Sequence, residues 1–244
     1  MLLCIDTGPA HPTWNMAVDE ALLLEGPPAA LRLYSWSPPG LSLGYFQPHD
    51  FTETVPGDRV VVRRQTGGGA IYHDNEITFS LTLDTELLPG SVLESYEAIH
   101  GAIARALDTV GVPTAMAAQS DVSNHRRPAQ GWCFATPSAP DLITVEGRKI
   151  VGSAQRRINQ PRPRILHHGS IVLRASPTTP FCGDVTGHVD PADATEPLKQ
   201  ALIHEISATL QLKAEPSSLG ASLRSLAGEL LTSRHGTREF LERR

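Results

Sequence analysis

Three consecutive glycines, Gly67 to Gly69, stand between two runs with strand character and follow a pair of arginines, Arg63 and Arg64. Glycines weaken a strand interior, because each lacks a side chain to pack and loses much backbone entropy on folding. They are useful where backbone N–H groups must approach a ligand closely. A guanidinium binds a carboxylate or phosphate through two parallel hydrogen bonds. The stretch therefore predicts a loop that binds such a group, and a glycine-rich bulge with solvated arginines is the alternative.

A lysine downstream, Lys149, is a second group able to do chemistry. It stands near the small residues Gly152, Ser153 and Ala154 in a predicted hairpin. An ammonium held at such a fixed place suits a carbonyl or phosphate oxygen better than one on a free helix face. We expect this lysine to reach the surface and to carry little packing, so that Lys149→Ala would leave the fold intact. The alternative is a solvated strand lysine without a role.

The three cysteines, Cys4, Cys133 and Cys182, are too few and too scattered for a disulfide framework, and no pair has metal-ligand spacing. They predict a reducing cytosolic compartment, in which a single thiol can stay reactive. An ammonium such as that of Lys149 close to Cys133 would favour the reactive thiolate. A neutral Lys149 could instead take the thiol proton, and an inert buried thiol is the commonest state of a cysteine.

Composition and charge narrow the class of protein. The chain has 244 residues and a formal net charge of −5. That length is ample for one large domain with a core, and the charge argues against a general nucleic-acid binder. No run of eighteen apolar residues is present, and the N-terminus lacks the features of a signal peptide. The sequence therefore predicts a cytoplasmic protein without nucleic-acid or membrane partners.

Hydrophobic periodicity predicts an α+β fold, with strands in the first two thirds of the chain and helices toward the ends. The clearest helix spans residues 91–110, where Ser91 and Glu94 form a capping box. Residues 120–130 and 156–164 are predicted loops. Other predicted helices cover residues 14–24, 198–210 and 219–230. Predicted strands cover residues 2–5, 30–34, 41–47, 59–63, 77–83, 132–135 and 165–173, the last interrupted at 167–170, with a hairpin of 141–145 and 148–151.

Motifs in a fixed order carry a resemblance to a known family. Asn-Met-Ala-Val-Asp-Glu at 15–20 and Arg-Arg-Gln-Thr-Gly-Gly-Gly-Ala-Ile-Tyr-His-Asp at 63–74 precede Gly-Arg-Lys-Ile-Val-Gly-Ser-Ala-Gln at 147–155 and His-Gly-Ser at 168–170. Together they resemble the lipoate-protein ligase and octanoyltransferase family, relatives of the biotin-protein ligase catalytic domain. The resemblance implies a mixed β-sheet core flanked by helices, of the biotin/lipoate-protein ligase catalytic-domain type. It also implies an enzyme that joins octanoyl or lipoyl groups to a lysine of a small carrier domain.

Site residues follow from the resemblance, position by position. Arg63 and Arg64 would stand near the acyl head group and any bound nucleotide. Lys149 would touch the acyl carbonyl or an adenylate, and backbone N–H groups near Cys133 or in the glycine loop would stabilise an oxyanion. No metal-binding residue is assigned. The other residues assigned to the substrate pocket are Gly67, Gly68, Gly69, Tyr72, His73, Gly152, Ser153, Ala154 and His168.

Cys133 separates two kinds of enzyme within the family. In the ligase-like octanoyltransferases, a cysteine in a Cys-Phe element before the lysine hairpin takes the acyl group as a thioester, and Cys133-Phe134 matches that position. Such enzymes move octanoyl from acyl carrier protein to lipoyl carrier domains, the glycine cleavage H protein or dehydrogenase E2 subunits, without a cofactor. The first alternative is a lipoate-protein ligase that needs ATP and Mg²⁺ and forms lipoyl-adenylate. The second is a non-catalytic protein that binds an acyl group or a carrier.

The expected organisation is a catalytic domain, residues 1–194, followed by a helical C-terminal extension, residues 195–244, packed on it. Many full-length ligases carry a C-terminal accessory domain that is needed to form the adenylate. The residues after Asp193 suffice for helices but not for that domain. This favours the transferase, although some ligases keep the accessory part on a separate chain.

Overall fold

Strands and helices follow the α+β pattern in the computed structural model, which describes residues 1–55, 57–88, 90–117 and 131–243. The predicted loop 120–130 therefore lies outside the described residues. No helix in the described ranges is long and apolar enough to cross a bilayer. The helices are α1 (Pro12–Glu25), α2 (Val92–Thr109), α3 (Pro191–Leu210), α4 (Ala221–Leu230) and α5 (Arg238–Leu241). The strands are β1 (Leu2–Ala10), β2 (Ala29–Trp36), β3 (Gly40–Leu43), β4 (Val60–Arg63), β5 (Ile71–His73), β6 (Asn75–Asp84), β7 (Ala115–Met116), β8 (Leu142–Ile143), β9 (Lys149–Ile158), β10 (Arg164–Arg174) and β11 (Ala214–Ser217).

The strands form two sheets. The larger has eight strands in the order β11-β1-β2-β6-β10-β9-β8-β7, and the smaller has the order β4-β3-β5. In the large sheet, β1 is parallel to both of its neighbours, β11 and β2. The remaining neighbours, in the sheet order β2-β6-β10-β9-β8-β7, all pair antiparallel. In the central register, His168 on β10 lies opposite Ser80 on one side and Ala154 on the other. Two motifs distant in sequence therefore become direct neighbours.

The large sheet is covered on both faces. Leu31 of β2 and Phe79 of β6 belong to the main core, which α2 and α3 complete. The residues next to them in sequence, Arg32, Thr78 and Ser80, point to the other face of the sheet. They are buried as well, beneath α1 and the small sheet. The strict alternation of apolar and polar residues along β6 therefore separates an apolar core from a buried polar layer.

Three predicted elements differ from the structure. Residues 132–135 form a turn with an isolated bridge between Trp132 and Ala70, so the predicted strand there is wrong. β9 extends into the predicted loop 156–164, and β10 runs without interruption through 167–170. Pairing between β9 and β10 supplies the backbone hydrogen bonds that make these polar stretches regular.

The C-terminal segment packs against α1. Ala227 of α4 lies in an apolar cluster with Val18 of α1. Glu20 of α1 accepts from Arg234 at 3.0 Å and from His235 at 2.7 Å. α4 and the residues after it thus pack on α1, and β11 adds a strand to the edge of the large sheet. The predicted boundary after residue 194 falls inside α3, whose Leu198 belongs to the main core.

Candidate active site

Cys133 and Lys149 meet across sixteen positions of sequence. Lys149 is the first residue of β9, and Cys133 lies in the turn that follows Trp132. Lys149 Nζ lies 3.6 Å from Cys133 Sγ and donates to the Cys133 carbonyl oxygen at 3.1 Å. The amine and the thiol are therefore in contact, as required for a nucleophile activated by a neighbouring cation or base.

Backbone hydrogen bonds fix the turn that carries Cys133. The Cys133 N–H donates to the Ala70 carbonyl at 2.9 Å, and the Ala70 N–H donates to the Gly131 carbonyl at 3.1 Å. The Cys133 amide is thus engaged within the protein, and stabilisation of an oxyanion by other backbone N–H groups near Cys133 stays a prediction. The Lys149 ammonium and the glycine loop remain as candidate donors.

Lys149 is buried, with 3% of its surface exposed. Its ammonium forms an ion pair with Asp141 at 2.8 Å and lies 5.0 Å from the centroid of the Phe134 ring. Gly152 leaves room for the side chain, because a Cβ at that position would lie 2.4 Å from Lys149 Cε. The expectation that Lys149 reaches the surface and carries little packing is therefore wrong, and so is the alternative of a solvated lysine.

The surroundings of Lys149 favour its charged form. Burial by itself lowers the pKa of Lys149, but the negative charges of the Cys133 thiolate and Asp141 and their hydrogen bonds outweigh burial and raise it. An ammonium has three hydrogens, and three acceptors surround it: Asp141 Oδ2, the Cys133 carbonyl and Cys133 Sγ. In this state Lys149 donates to the sulfur and does not accept its proton.

The glycine loop lines the cleft next to the turn that carries Cys133. Arg64 fixes the loop by donating to the carbonyls of Gly67 and Gly69 at 3.0 and 2.9 Å. Gly68 has a φ of +99°, which residues with a side chain rarely adopt. A Cβ on Gly69 would lie 2.9 Å from the Cys133 backbone nitrogen. The triplet therefore allows the loop to turn sharply and to touch the Cys133 turn.

Arg63 and Arg64 are both buried, and main-chain carbonyls surround their guanidinium groups. Arg63 donates to the carbonyls of Gly44 and Gln47 and, from the C-terminal segment, Leu241 at 2.7 Å. It is not among the described residues that line the cavities at Cys133, and Arg64 borders only the inner one. Both arginines support the loop, and their contact with a ligand head group stays a prediction.

A cleft of about 620 Å³ opens beside the dyad. Cys133 and Lys149 lie on it, together with the glycine loop and the predicted Ser153 and Ala154. The first turn of α2 forms its outer rim, where Val92 and Leu93 are exposed apolar side chains. The cleft is thus polar near the dyad and apolar at its mouth.

A narrower, mainly apolar cavity continues inward from the sulfur of Cys133. Gly68, Cys133, Ser153 and Ala154 line both cavities, so the two are contiguous at that point. Tyr72 is not among the described lining residues of either and instead borders a separate small cavity beside Trp132. The walls of the inner cavity include Met16, Tyr34, Trp36 and Ile71 and, of the predicted residues, His73, Gly152 and His168.

Asp19 connects the first sequence motif to the glycine loop. Its carboxylate accepts from Arg32 and Tyr34, both at 2.8 Å, and lies 3.1 Å from His168 Nδ1. His168 Nε2 lies 2.7 Å from the hydroxyl of Thr66, which leads into the glycines. Burial alone would raise the pKa of Asp19, but the partners outweigh it and lower the pKa. A buried anion thus holds three motifs together behind the pocket.

His73 is placed to orient its neighbours. Its Nδ1 donates to the Glu76 carboxylate at 2.7 Å, while Nε2 lies 2.7 Å from the Ser42 hydroxyl. Its ring stacks on Trp36 with centroids 3.8 Å apart. Burial lowers the pKa of His73, which keeps the ring neutral. These contacts fix Trp36 as a wall of the inner cavity.

Sequence reasoning missed several residues of the cleft. Asp141 lies outside every motif, and its position as the first residue of the predicted hairpin is the signal that could have suggested it. Val92 and Leu93 belong to a helix to which the sequence assigned no chemistry. Within the described residues, no group of three or more His, Cys, Asp and Glu side chains is placed to hold a metal ion.

Comparison with known families decides the relationship that the motifs suggested. Residues 11–216 match the model of the lipoyl protein ligase A/B catalytic domain. The chain belongs to this family. The resemblance inferred from the sequence is therefore confirmed.

Curated relatives of this family member carry the name octanoyltransferase LipM. That of Kyrpidia tusciae is 40% identical over 190 residues, covering 72% of this chain and 68% of the relative. That of Bacillus subtilis is 37% identical over 182 residues, covering 69% of this chain and 64% of the relative. The chain thus matches about two thirds of the length of these relatives.

Solved structures of ligases share the fold of this family member. Lipoate-protein ligase A bound with ATP gives a TM-score of 0.77 at 23% identity, covering 99% of this chain and 97% of the other. A chain from the Thermoplasma acidophilum lipoylation system, a bi-partite lipoate protein ligase with its E2 lipoyl domain, gives 0.71 at 22% identity, covering 99% and 95%. The predicted mixed sheet with flanking helices is therefore confirmed as a lipoate-protein ligase fold.

Proposed function

We propose that this protein is an octanoyltransferase that moves an octanoyl group from acyl carrier protein to a lysine of a lipoyl carrier domain, through a thioester on Cys133. The observation that carries the proposal is the 3.6 Å contact between the Cys133 sulfur and the Lys149 nitrogen, where the cleft meets the inner cavity. Similarity to the LipM octanoyltransferases over most of the chain supports it.

The apolar walls of the inner cavity suit a saturated acyl chain, and they must move apart to admit one, because the cavity has a volume of only about 30 Å³ in this structure. Its walls carry the large side chains of Met16, Tyr34, Trp36 and Ile71. Each methylene moved from water to such an apolar wall contributes about 0.8 kcal/mol. With the chain in this cavity, the thioester carbonyl of the donor lies at Cys133, and the rest of the carrier arm occupies the cleft.

The first half-reaction loads the enzyme. The Cys133 thiolate attacks the carbonyl carbon of the donor thioester, and the Lys149 ammonium stabilises the negative charge on the oxygen. The bond between that carbon and the donor sulfur then breaks. The departing thiolate takes a proton from Lys149, which leaves octanoyl-Cys133, a free carrier thiol and a neutral Lys149.

The second half-reaction unloads the enzyme. The thiolate charge that helped to keep Lys149 protonated is gone, so the neutral amine left by the first step is less disfavoured than in the free enzyme, while Asp141 still holds Lys149 in place. Lys149 takes one proton from the ammonium of the acceptor lysine, and the resulting amine attacks the acyl carbon. The bond from that carbon to the Cys133 sulfur breaks and restores the thiolate beside charged Lys149. The second proton of the amine leaves to solvent, and an amide remains.

The acceptor in this proposal is a lipoyl domain, such as the glycine cleavage H protein or a dehydrogenase E2 subunit, and neither ATP nor Mg²⁺ takes part. An ATP-dependent ligase is the competing function, because the fold is shared with ligases. A ligase transfers its acyl group from an adenylate directly to the lysine and has no use for a thiol. The position of Cys133 beside Lys149 therefore favours the transferase.

A covalent intermediate tests the proposal. Incubation with octanoyl acyl carrier protein alone should add one octanoyl group to the enzyme, detected by intact-protein mass spectrometry. The adduct should be released by hydroxylamine, as a thioester is, and by addition of a lipoyl domain. Cys133→Ala should form no adduct, whereas Cys182→Ala should form it normally, because Cys182 is buried and contributes no chemistry to the scheme.

The role of ATP separates the two enzymes. Lipoyl domain should be octanoylated by the wild type without ATP at the same rate as with it. If Cys133→Ala retains ATP-dependent lipoylation at the wild-type rate, and the wild type forms no acyl-enzyme, the thioester proposal is wrong and the ligase function replaces it.

A further inference from the structure

A carboxylate outside the sequence motifs extends the dyad. Asp141 Oδ2 lies 2.8 Å from Lys149 Nζ, and the two side chains are only 8% and 4% exposed. Lys149 in turn reaches the Cys133 sulfur. All three residues border the cleft, so carboxylate, ammonium and thiol form a continuous chain of contacts at the reacting position.

We propose that Asp141 is a positioning residue, which keeps the Lys149 ammonium charged and directed at the Cys133 sulfur. This inference rests on the proposed acyl transfer and deepens it, because it assigns the site a third essential group. A buried ammonium without an anion beside it tends to lose its proton, since burial disfavours the charged form. A neutral amine would sit beside a neutral thiol, and the nucleophilic thiolate would be depleted.

Asp141 is itself held firmly. Ser138 donates to Oδ2 through its backbone N–H at 2.8 Å and through its hydroxyl at 3.0 Å. The Asp141 N–H returns a hydrogen bond to the Ser138 carbonyl at 2.7 Å. The neighbouring Pro140 carbonyl accepts from His100 Nδ1 at 2.6 Å. A carboxylate fixed in this way transmits its position to the ammonium that it binds.

A chain of hydrogen bonds runs from the Pro140 carbonyl through two histidines to β9 and β10, and the donor in each bond can be assigned. His100 Nδ1 faces a carbonyl and must donate, so Nε2 accepts from the Ser153 hydroxyl at 2.6 Å. The Ser153 oxygen accepts from His167 Nε2 at 2.8 Å, and His167 Nδ1 accepts from Gln155 at 3.2 Å. Burial lowers the pKa of both histidines, so both are neutral. The loop that carries Asp141 is therefore tied to α2, β9 and β10.

Other titratable groups face the dyad without replacing Asp141. Tyr96 and His100 approach from α2, Arg64 from beside the glycine loop and Cys182 from behind Phe134. Burial raises the pKa of Tyr96 and raises that of Cys182 to about 11, so both are neutral in the working range. Arg64 adds a second cation. Among the described groups that act on Lys149, Asp141 is thus the carboxylate.

The test measures the reactivity of Cys133 without any acyl donor. The rate of alkylation by iodoacetamide is followed on the Cys133 peptide by mass spectrometry across a range of pH. In Asp141→Asn the rate at pH 7 should fall by about tenfold or more, because each pKa unit of lost preference for the ammonium is a factor of ten. Its rise to the full rate should move to higher pH. Asp141→Glu retains the anion and should retain the wild-type pH profile.

Asp184→Asn provides a matched control. Asp184 accepts from the backbone N–H and the hydroxyl of Thr186, as Asp141 does from Ser138, but within the described residues no lysine forms an ion pair with it. The control therefore reports the cost of removing a carboxylate that holds a turn. It should leave the alkylation profile of Cys133 unchanged.

Two results overturn the proposal: an unchanged profile in folded Asp141→Asn, or a Glu variant that loses reactivity as far as the Asn variant. Thermal unfolding checks that each variant is folded. If Asp141→Asn is unfolded, the pH profile of Cys133 alkylation in Asp141→Glu tests the proposal alone: a wild-type profile supports it and a loss of reactivity overturns it. A wild type that alkylates readily at Cys133 but forms no acyl-enzyme contradicts the proposed function and leaves the role of Asp141 intact. The two failures are therefore distinguishable.

Discussion

Lys149 is the buried lysine of the candidate site. The other lysines, Lys199 and Lys213, are partly or fully exposed and pair with surface carboxylates. Lys149 instead contacts Asp141, a carbonyl and a sulfur in a dry position. Its interactions are stronger there than in water, because the local dielectric is lower. We therefore expect the same residue to contribute both to the proposed acyl transfer and to stability.

Lys149→Ala should show both effects. Formation of the acyl-enzyme should slow by about 100-fold or more, since acid–base catalysis contributes typically about 10² to 10⁴. The free energy of unfolding should fall by about 3–5 kcal/mol, because the Asp141 carboxylate is left buried without its cation. Rapid quench of the loading reaction and urea unfolding measure the two quantities.

Lys199→Ala is the control for this substitution. Its ion pairs with Asp6 and Glu196 are at the surface, so the loss should stay below about 1 kcal/mol with loading unchanged. A folded Lys149→Ala protein that loads at the wild-type rate would show that the ammonium is not needed.

The loop and the turn at the active site depend on each other as elements. Neither is a helix or a strand, and each is held by the other through hydrogen bonds from Ala70 to Gly131 and from Cys133 to Ala70. Arg64 fixes the loop carbonyls from the opposite side. The position of the nucleophile is therefore set by how closely the glycine loop can approach its turn.

Gly69→Ala should displace the nucleophile. The new Cβ would lie 2.6 Å from the Gly131 oxygen and 2.9 Å from the Cys133 nitrogen, and both are backbone atoms that must move. A displacement of about 1 Å at a reacting group can slow a reaction about 100-fold, so acyl-enzyme formation should fall on that order. Gly67→Ala is the matched control, because the nearest atom to its Cβ is 4.0 Å away in the Phe46 ring. Equal loading rates in the two variants would contradict this account of the loop.

The molecule as a whole is closed by contacts from its C-terminal segment. Glu20 of α1 binds Arg234 and His235, and Arg63 binds the Leu241 carbonyl from the strand that leads to the glycine loop. These contacts join the last residues of the chain to the first helix and to the rear of the site. Loss of one of these contacts should therefore lower the free energy of unfolding of the whole molecule.

Glu20→Gln tests this closure through its dependence on pH. Burial alone would raise the pKa of Glu20, but His235 and Arg234 outweigh it and lower the pKa below the ordinary 4.5. A carboxylate with a lowered folded-state pKa stabilises the fold above its unfolded value and loses that contribution as the pH falls through the folded value. At pH 7 the variant should be less stable by about 1.5–3 kcal/mol, the range for hydrogen bonds to charged groups.

The difference between wild type and Glu20→Gln should shrink as the pH falls below 4.5, in urea unfolding measured at several pH values. Glu196→Gln, which breaks an exposed ion pair, should change stability by less than about 1 kcal/mol. A Glu20→Gln difference that is constant over the whole pH range would contradict the assignment of a charged Glu20.

The sequence by itself determined the family, the α+β class and the two residues of the dyad. Periodicity revealed the long elements, such as α2 with its Ser91 capping box, because capping and amphipathic spacing are local properties. The order of the glycine, lysine and histidine motifs carried the resemblance. The sequence left open whether Lys149 is solvated or buried and whether it holds or takes a proton.

Tertiary structure decided that Lys149 is buried, because burial and charge pairing depend on groups distant in sequence. Asp141 could not be assigned from its neighbours, since only the pairing of β8 with β9 brings it to Lys149. The strand predicted at Cys133 is a turn, because its backbone bonds to the glycine loop and not to a strand. The partners of Arg63 also depend on the tertiary structure. Its residue type suggested a bound carboxylate or phosphate, but in the fold its guanidinium donates to main-chain carbonyls.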